Sequence, residues 1–252
     1  MKPHERQLKI AELIRQEGEV SVEGLALRFD VSAETIRRDL AQLVESGRVQ
    51  KVHGGARRPR LMVEGSFTER LGSEATAKAR IGRRLADLIE PGETLFVDTG
   101  STTLAAADHL AAIPNLTVIT NSCRFADRLT QAGSDAAIYL LGGRYQGDNA
   151  ETTGPMTIGQ IGAFQADRAV ITVAAVLPEI GAMDASFEEA QVARAMIANA
   201  RSLTVLADHT KIGRRAAFSV CASGEIDQLV SDQTLHKETR EALVDLGVDV
   251  CC

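Results

Sequence analysis

The sequence lacks any apolar run of the roughly 18–20 residues that a helix needs to cross a bilayer, so we expect no membrane span. Residues 1–18 are charged throughout and contain no apolar signal-peptide core, which leads us to expect a cytoplasmic protein. With 44% hydrophobic and 25% charged residues, the composition is typical of a folded globular chain and excludes a disordered one.

Cysteine and histidine are also scarce. The four cysteines, Cys123, Cys221, Cys251 and Cys252, show no C-x-x-C spacing, and none of the five scattered histidines stands at ligand spacing from a cysteine. Because zinc sites and thiol redox sites need such clusters, the sequence predicts no metal site and no cofactor. The cysteines are expected to be free thiols of a reducing compartment.

The net charge of −6 argues at first against nucleic-acid binding, but it is unevenly distributed. Residues 1–60 hold 12 basic and 9 acidic residues, a net charge of +3, whereas residues 61–252 hold 16 and 25, a net charge of −9. Within residues 31–60, seven basic residues outnumber three acidic ones. Since charge interactions are screened beyond roughly 8–10 Å, the local excess matters more than the total.

The first sixty residues have the apolar spacing of three short helices. Ser32 is placed to cap the third helix and Gly47 to end it. Residues 48–58 alternate polar and apolar side chains around a Gly-Gly turn, which is typical of a basic β-ribbon or wing. The helices are predicted over residues 4–17, 23–29 and 33–46.

The exposed N-terminal face of the third helix carries side chains suited to DNA. Arginine pairs bidentately with guanine, and serine or threonine hydroxyls reach base edges or phosphates. Three helices and a hairpin form a common small fold, and exposed arginine pairs are usually only solvated, but the two features together favour DNA binding. We predict contacts from Ser32, Ala33, Glu34, Thr35, Arg37 and Arg38 in the recognition helix, and from Lys51, His53, Gly54, Arg57 and Arg58 in the wing.

The run V-S-A-E-T-I-R-R-D-L at residues 31–40, followed by Gly47 and by H-G-G-A at residues 53–56, resembles the signature of the DeoR family of bacterial regulators. Every signature position matches. Lys51 is a small departure, since many members carry arginine close to this position. The resemblance implies a winged helix-turn-helix that binds double-stranded operator DNA.

From Thr94 onward, short apolar strands alternate with amphipathic helices. This alternation predicts a doubly wound, mostly parallel α/β sheet, in which ligands bind beyond the carboxyl ends of the strands. Strands are predicted at 94–97, 116–119, 137–141, 168–173, 203–206 and 228–230, and helices at 69–90, 103–111, 122–131, 159–164, 187–200 and 235–246.

Polar or glycine-rich turns follow several of these strands. The turn at residues 98–103 opens a helix, whose free N-terminal amides attract an anion. Further turns lie at 120–122 and 141–144. A single turn of this kind is usually only a helix cap, but recurrence at successive strand ends favours a phosphate-binding site.

The resemblance to the DeoR family extends over nearly the whole chain, because the D-x-G-[ST]-T-T, T-N-S, L-G-G, T-G and D-x-x-K segments of the family are all present. It implies a sensor domain similar to ribose-5-phosphate isomerase and glucosamine-6-phosphate deaminase, which binds a phosphorylated sugar or polyol. The implied phosphate ligands are Asp98, Gly100, Ser101, Thr102 and Thr103, and the further candidate contacts are Asn121, Gly142, Gly143, Thr153, Gly154, Glu188, Asp208 and Lys211.

Residues 172–179 depart from the family, since they replace a glycine-rich stretch. If they line the effector pocket, the ligand differs from the family's best-known ones. Lys78 and either Glu188 or Glu189 stand on predicted helices, where a solvated charge and a site role are equally compatible with the sequence.

Two other functions are partly compatible with the sequence. A sugar-phosphate isomerase with a DNA-binding appendage needs a general base near the sugar carbons, but residues 170–177, comparable to the D-G-x-D-E run of such isomerases, are apolar. Only Asp98 and Glu188 keep this alternative open. A structural DNA-binding protein without a ligand leaves the recurring strand-end turns unexplained.

The prediction is therefore a transcriptional regulator, not an enzyme, with a DNA-binding domain at 1–58, a linker at 59–75 and an effector-binding sensor domain at 76–252. An effector that prefers a conformation with poorly spaced DNA-binding domains must weaken DNA binding. Repression is the family's usual mode. One winged helix contacts few base pairs, so we expect a homodimer or homotetramer.

Overall fold

The computed structural model describes residues 1–45, 49–58, 61–62 and 64–252. The chain divides into two compact units, an N-terminal unit of Met1–Leu61 with Gly213–Arg215 and a C-terminal unit of Met62–Ile212 with Ala216–Cys252. The predicted end of the third helix at Ser46 and Gly47, the first wing residue Arg48, and Pro59 of the predicted linker lie outside the described residues.

The N-terminal unit is a three-helix fold with a small antiparallel sheet, as predicted. The sheet has the strand order β1-β3-β2. The elements in chain order are α1 (Pro3–Glu17), β1 (Glu19–Ser21), α2 (Val22–Phe29), α3 (Ala33–Glu45), β2 (Gln50–Val52) and β3 (Gly55–Arg57).

Local chemistry accounts for the way these helices begin and end. Ser21 Oγ accepts a hydrogen bond from the Gly24 amide at 3.0 Å and so caps α2. Asp30 ends α2 in the left-handed conformation, with φ of 51°. The apolar faces then pack into one core that contains the buried residues Ile10, Leu25 and Ile36.

The C-terminal unit is built on a seven-stranded sheet in which every pair of neighbours is parallel, with the order β15-β14-β12-β9-β4-β5-β6. Its elements are α4 (Phe67–Gly72), α5 (Ala75–Ala86), β4 (Thr94–Val97), α6 (Ser101–Leu110), β5 (Thr117–Thr120), α7 (Cys123–Gln131), β6 (Ala137–Leu140), β7 (Arg144–Gln146), β8 (Glu151–Thr153), α8 (Pro155–Ile161), β9 (Ala166–Thr172), β10 (Ala175–Leu177), β11 (Gly181–Asp184), α9 (Phe187–Ala198), β12 (Ala200–Leu206), β13 (Phe218–Cys221), β14 (Gln228–Val230), α10 (Lys237–Asp245) and β15 (Asp249–Cys251).

Helices cover both faces of this sheet, which confirms the predicted doubly wound α/β class. One apolar cluster joins Ile171 and Val205 of the central strands to Met196 of α9. A second joins Val97 and Val118 on the other face to residues of α5, α6 and α7, such as Ile81. Strands that are buried on both faces are apolar nearly throughout. The central strands of the sheet could therefore be predicted from the sequence.

The structure differs from the prediction in several elements. The single helix predicted over 69–90 is two helices, α4 and α5, because Glu74 between them adopts a left-handed conformation with φ of 52°. The helix predicted over 159–164 is α8, which begins earlier, at Pro155, and ends at Ile161. The β7–β8 hairpin, the antiparallel sheet β10-β11-β13 and the edge strand β15 were not predicted. Their strands have only three or four residues, too few to show a reliable alternation.

The strands β12, β9 and β4 lie side by side at the centre of the sheet and end at Leu206, Thr172 and Val97. The segments that follow them therefore meet at one edge. Within the described ranges, no helix combines the length and the apolar character that crossing a bilayer demands.

Candidate functional site

The start of α3 places the predicted hydroxyl residues next to each other. Ser32 Oγ accepts a hydrogen bond from the Thr35 amide at 3.2 Å and lies 2.9 Å from Thr35 Oγ1. Ser32 and Glu34 are exposed, while Ala33 and Thr35 are half-buried. The Ser32 hydroxyl therefore caps the helix, and the Thr35 hydroxyl lies beside it at the same end.

Arg37 and Arg38 are available for a partner. Their side chains are 59% and 80% exposed, and each has a nitrogen 3.6 Å from a carboxyl oxygen of Glu34. Exposed ion pairs of this kind contribute roughly 0–1 kcal/mol. Both guanidinium groups can therefore exchange Glu34 for a guanine edge or a phosphate at small cost.

Asp39, the next residue of the signature, is structural. Arg6 Nε donates to Asp39 Oδ2 at 2.6 Å, and Gln7 Nε2 donates to Asp39 Oδ1 at 3.1 Å. Arg6 and Asp39 are both buried. This buried contact fixes α3 against α1 and so determines the direction in which the exposed arginines extend.

The two glycines of the wing have different roles. Gly54 lies in the turn with φ of +73°, a conformation that other residues rarely adopt. Gly55 begins β3 so close to β1 that a Cβ atom would lie 2.1 Å from the carbonyl oxygen of Val20. The Gly-Gly pair thus provides both the turn and the pairing of the wing with β1.

The predicted wing contacts differ in exposure. Lys51, His53 and Arg58 are exposed, whereas Arg57 is half-buried and donates from Nε to Gln50 Oε1 at 3.0 Å. The three exposed side chains can reach a DNA backbone. Arg57 mainly joins the two strands of the wing.

A cavity of about 70 Å³ lies in the C-terminal unit, beyond the carboxyl ends of β4, β9 and β12. This is the edge where a ligand of a doubly wound sheet is expected. Five of the predicted effector ligands line it: Gly100, Ser101, Thr102, Asp208 and Lys211. The other lining residues are Glu64, Arg70, Ser73, Lys78, Thr172, Val173, Asp184, Glu189, Leu206, Ala207 and Thr210.

The N-terminus of α6 opens onto this cavity. Gly100 precedes the helix, and no side chain caps it. The first amides of a helix have no partner within the helix and attract anions. A Cβ atom at Gly100 would lie 2.3 Å from Thr172 Oγ1, so glycine allows the turn before α6 to pass close to the Thr172 side chain at the end of β9.

Asp98 and Thr103, predicted as phosphate ligands, lie behind the cavity wall. Asp98 accepts a hydrogen bond from the Thr172 amide at 2.8 Å. Burial raises the pKa of Asp98 well above its ordinary value, and the nearby Asp184 and Glu189 add to the shift. Thr103 Oγ1 donates to the carbonyl oxygens of Asp98 and Gly100. These two residues shape the turn that presents the amides.

Three cations line the cavity. Lys211 Nζ donates to Glu64 Oε1, and Arg70 donates from NH1 to Glu64 Oε2 at 2.8 Å. Lys78 Nζ donates to the carbonyl oxygens of Arg70 and Ser73, and burial lowers its pKa. The sequence left the role of Lys78 open, and the structure places it at the junction of α4 and α5.

Asp208 positions Lys211. Its Oδ1 accepts hydrogen bonds from the Thr210 amide at 2.9 Å and from Thr210 Oγ1 at 2.5 Å. These bonds stabilise the short 3-10 turn His209–Lys211 that follows β12. The D-x-x-K spacing therefore serves to direct the lysine towards the cavity.

Two carboxyl groups on the cavity wall have raised pKa values. Burial is the main cause for both. The pKa of Asp184 rises to about 6, with a contribution from Glu64. The pKa of Glu189 rises to about 9, because Glu151 and Asp184 lie near it, so Glu189 is neutral at pH 7. The wall is less negative than its count of carboxyl groups suggests.

The remaining predicted ligands do not line the cavity. Glu188 is turned away and pairs with Arg144 at 3.2 Å, whereas its neighbour Glu189 points into the cavity wall. Asn121 Nδ2 donates to the Thr152 carbonyl oxygen at 3.0 Å and joins β5 to β8. Gly142, Gly143 and Gly154 lie in the turns that flank the β7–β8 hairpin, and Thr153 is the last residue of β8.

Sequence reasoning missed Glu64, Arg70, Ser73 and Asp184. Three of them lie within the predicted linker, 59–75, where the structure has the helix α4. No local motif indicates these residues, because the cavity forms only when segment 64–78 and the end of β11 pack against strand ends that are distant in the chain.

Residues 172–179 were named in the sequence as a segment that lines the effector pocket if the ligand is unusual for the family. Of these residues, Thr172 and Val173 line the cavity.

Full-length relatives are transcriptional repressors. The Glycerol-3-phosphate regulon repressor of Escherichia coli (strain K12) is 32% identical over 253 residues, which cover 100% of both chains. The HTH-type transcriptional repressor GlcR of Bacillus subtilis (strain 168) is 32% identical over 251 residues, 99% of this chain and 96% of that one. These relatives support the regulator over the isomerase alternative.

Solved structures resemble parts or most of this chain. A chain of the tetrameric eIF2B-beta2-delta2 complex from C. thermophilum aligns over 96% of this chain and 86% of that one, with a TM-score of 0.51 and 12% identity. At this identity the alignment shows a shared fold and nothing more. A D-ribose-5-phosphate isomerase in complex with phospho-erythronic acid aligns over 54% of this chain and 52% of that one, with a TM-score of 0.40 and 18% identity.

Two family models match the chain in the order in which its two units occur. Residues 6–60 match the DeoR-like helix-turn-helix domain. Residues 73–233, more than half of the chain, match the DeoR C terminal sensor domain. With relatives aligned along the full length, these matches show that the chain belongs to the DeoR family of transcriptional regulators.

Proposed function

We propose that this regulator is a repressor that binds operator DNA through α3 and the wing and releases it when a phosphorylated sugar or polyol occupies the cavity at the end of β4. The uncapped N-terminus of α6, which opens onto a cavity also lined by Lys211 and Arg70, carries this proposal. Helix amides and cations together are a typical phosphate site.

In the DNA interface, Arg37 and Arg38 are proposed to contact bases in the major groove, with Glu34 as their partner in the free protein. Lys51, His53 and Arg58 of the wing are proposed to contact the backbone. The proposed assembly is a dimer or tetramer, since two half-sites are needed for strong specificity.

In the effector site, we propose that the amides of Ser101 and Thr102 and the ammonium group of Lys211 bind the phosphate. Gly100 allows the close approach, and Asp208 orients Lys211. The hydroxyl groups of the effector then lie towards Asp184 and Glu189 on the same cavity wall.

The size of the cavity favours a short effector. Its volume of about 70 Å³ corresponds to several water positions, since one water needs roughly 10–15 Å³ by this measure. The Escherichia coli relative is named for glycerol 3-phosphate. We therefore propose a small polyol or sugar phosphate, in a protein that acts in the cytoplasm.

A thermal-shift screen of the full chain tests the effector proposal. The panel contains polyol and sugar phosphates, their unphosphorylated parents and inorganic phosphate. A ligand that binds the folded state raises the melting temperature by mass action. A rise with a phosphorylated compound but not with its parent supports the proposal, while equal rises with both members of every pair, or none with any phosphate, contradict it.

A further inference from the structure

Glu64 is the carboxylate on the cavity wall that pairs with two cations at once. Its Oε1 accepts from Lys211 Nζ and its Oε2 accepts from Arg70 at 2.8 Å. The side chains of Glu64, Arg70 and Lys211 are 16%, 15% and 17% exposed, so the three charges are largely withdrawn from water. Two oxygens of one anionic group, each paired with a different cation, are the contacts that a phosphate would make.

Glu64 lies in the segment that leads from the N-terminal stretch of the first unit to α4. Glu64 lies three residues after Leu61, the end of the N-terminal stretch of the first unit, and two before Ser66, which caps α4. The helix α4 is held separately, because Phe67 is buried and its amide donates to Asp148 Oδ2 at 2.9 Å. On the described chain before α4, Met62 packs against an apolar cluster and Glu64 forms the ion pairs.

The charge on the cavity wall also disfavours an anion while Glu64 is present. Arg70, Lys78 and Lys211 are matched by the three carboxylates Glu64, Asp184 and Asp208 on the same wall, since Glu189 is protonated at pH 7. A phosphate of nearly two negative charges would exceed the positive charge of this wall unless a carboxylate leaves. Among these three carboxylates, Glu64 is the one that pairs with both Lys211 and Arg70.

We propose that Glu64 is an internal competitor of the effector: its carboxylate pairs with Lys211 and Arg70 in the free protein, and the phosphate of the effector displaces it. This inference rests on the proposed effector site. The competition links occupancy of the cavity to release of the chain that leads back to the DNA-binding unit. By linkage, whatever favours the docked Glu64 weakens effector binding by the same factor.

The test is Glu64→Gln in the full chain, which keeps the size of the side chain and removes its charge. Titration calorimetry with inorganic phosphate and with glycerol 3-phosphate is expected to show about tenfold tighter binding, within the roughly 5–150-fold range of such couplings. Glu90→Gln removes the same charge at an exposed position outside the cavity, and its affinities are expected to match those of the parent chain.

Asp184→Asn distinguishes displacement of Glu64 from a general effect of removing negative charge from the cavity wall. Asp184 lines the cavity, but the carboxylate that pairs with Lys211 in the structure is Glu64. Hydrogen exchange of the peptide spanning residues 61–66 supplies the second measurement. In the parent chain, exchange is expected to rise when phosphate binds, and in Glu64→Gln it is expected to be high already without phosphate. In Asp184→Asn it is expected to stay low until phosphate binds.

Unchanged or weaker phosphate binding in Glu64→Gln would overturn the inference, because Glu64 would then organise the cations instead of competing for them. An equal gain in Asp184→Asn, with no ligand-dependent exchange at residues 61–66, would overturn it as well. If neither the parent nor any variant binds a phosphorylated compound, the proposed function itself is wrong, which is a different result from binding without competition.

Discussion

The two candidate sites differ in how their charged residues are held. On α3, Arg37 and Arg38 extend into solvent and share one weak partner, Glu34. In the cavity, Lys211 and Arg70 are largely buried and bonded to Glu64. Under our proposals, the phosphates and base edges of DNA reach an exposed surface, whereas a small anion replaces contacts that already exist inside the protein.

Under the proposed function, this difference places the effector response in the cavity. An exposed arginine acts nearly independently of its neighbours, so its loss is expected to change affinity without changing the fold. A buried ion-pair network couples every member to the others, so ligand binding there is expected to move protein groups. The predictions that follow test this contrast, beginning with the largest expected effect.

Asp39→Ala is expected to destabilise the N-terminal unit by about 3–5 kcal/mol, because it leaves Arg6 buried without its carboxylate. Denaturant unfolding of the full chain followed by circular dichroism measures the loss. Glu23→Ala, an exposed carboxylate on α2, is the control and should change stability by less than about 0.5 kcal/mol. Weaker operator binding at unchanged stability would instead mean that Asp39 contacts DNA.

Thr102→Glu is expected to abolish the effector response by placing a negative charge beside the phosphate. At 4 Å, the repulsion between unit charges near a protein surface is about 4 kcal/mol, so an affinity loss of about 100-fold or more follows. Calorimetry with the phosphorylated compound from the screen measures it. Thr130→Glu adds the same charge at an exposed position on α7 and is the control, which should bind the effector normally. An intact response in Thr102→Glu would show that the turn at residues 98–103 does not bind the phosphate.

Arg37→Ala and Arg38→Ala are each expected to weaken operator binding by about 1–3 kcal/mol, the range for a bidentate contact to a base, with the melting temperature unchanged. Fluorescence anisotropy with operator and scrambled DNA at one salt concentration measures both affinity and specificity. Arg28→Ala on α2, whose arginine is also exposed and paired with a glutamate, is the control. Parental operator affinity in both variants would defeat the recognition-helix assignment.

The pH dependence of anion binding tests the cavity wall. Asp184 has a pKa of about 6, so it is largely protonated below that pH and charged above it. Its charged form repels an anion, and affinity should fall roughly threefold as pH rises from about 5.5 to about 7.5. Sulfate is the probe because it does not titrate in this range.

A variant tests whether Asp184 is the group that produces this transition. Glu189, its neighbour on the cavity wall, has a pKa of about 9 and stays protonated across the same pH range. Asp184→Asn should therefore flatten the profile measured with sulfate. A profile that is flat in the parent chain, or equally steep in Asp184→Asn, would show that Asp184 does not respond to the anion.

The sequence predicted much of this structure wherever a local pattern carried the information. The strands at 94–97 and 228–230 were predicted with their observed bounds, because buried parallel strands are short apolar runs between polar turns. The cap at Ser32 and the turn at Gly54 follow from side-chain and backbone chemistry within a few residues. Asp39 was part of a matched motif, yet its buried pairing with Arg6 was not predicted.

The cavity was predicted only in part. Gly100, Ser101 and Thr102 belong to one turn, so their spacing was informative before any fold was known. Glu188 was chosen over Glu189 at the start of a predicted helix, where a one-residue step rotates a side chain by about 100° around the helix axis. Which of two adjacent glutamates points inward depends on how α9 packs, and sequence spacing at a helix start does not decide it.

The sequence by itself determined the two-part organisation, the helix-turn-helix with its exposed arginines, and the anion-attracting turn at residues 98–103, because each depends on interactions between residues close together in the chain. Only the tertiary structure decided that Glu64 pairs with Arg70 and with Lys211, which is 147 residues away in the chain, and that burial raises the pKa values of Asp184 and Glu189. Burial and pairing between distant segments arise when parallel strands bring their ends to one edge of a sheet, and the sequence carries no local signal of that meeting.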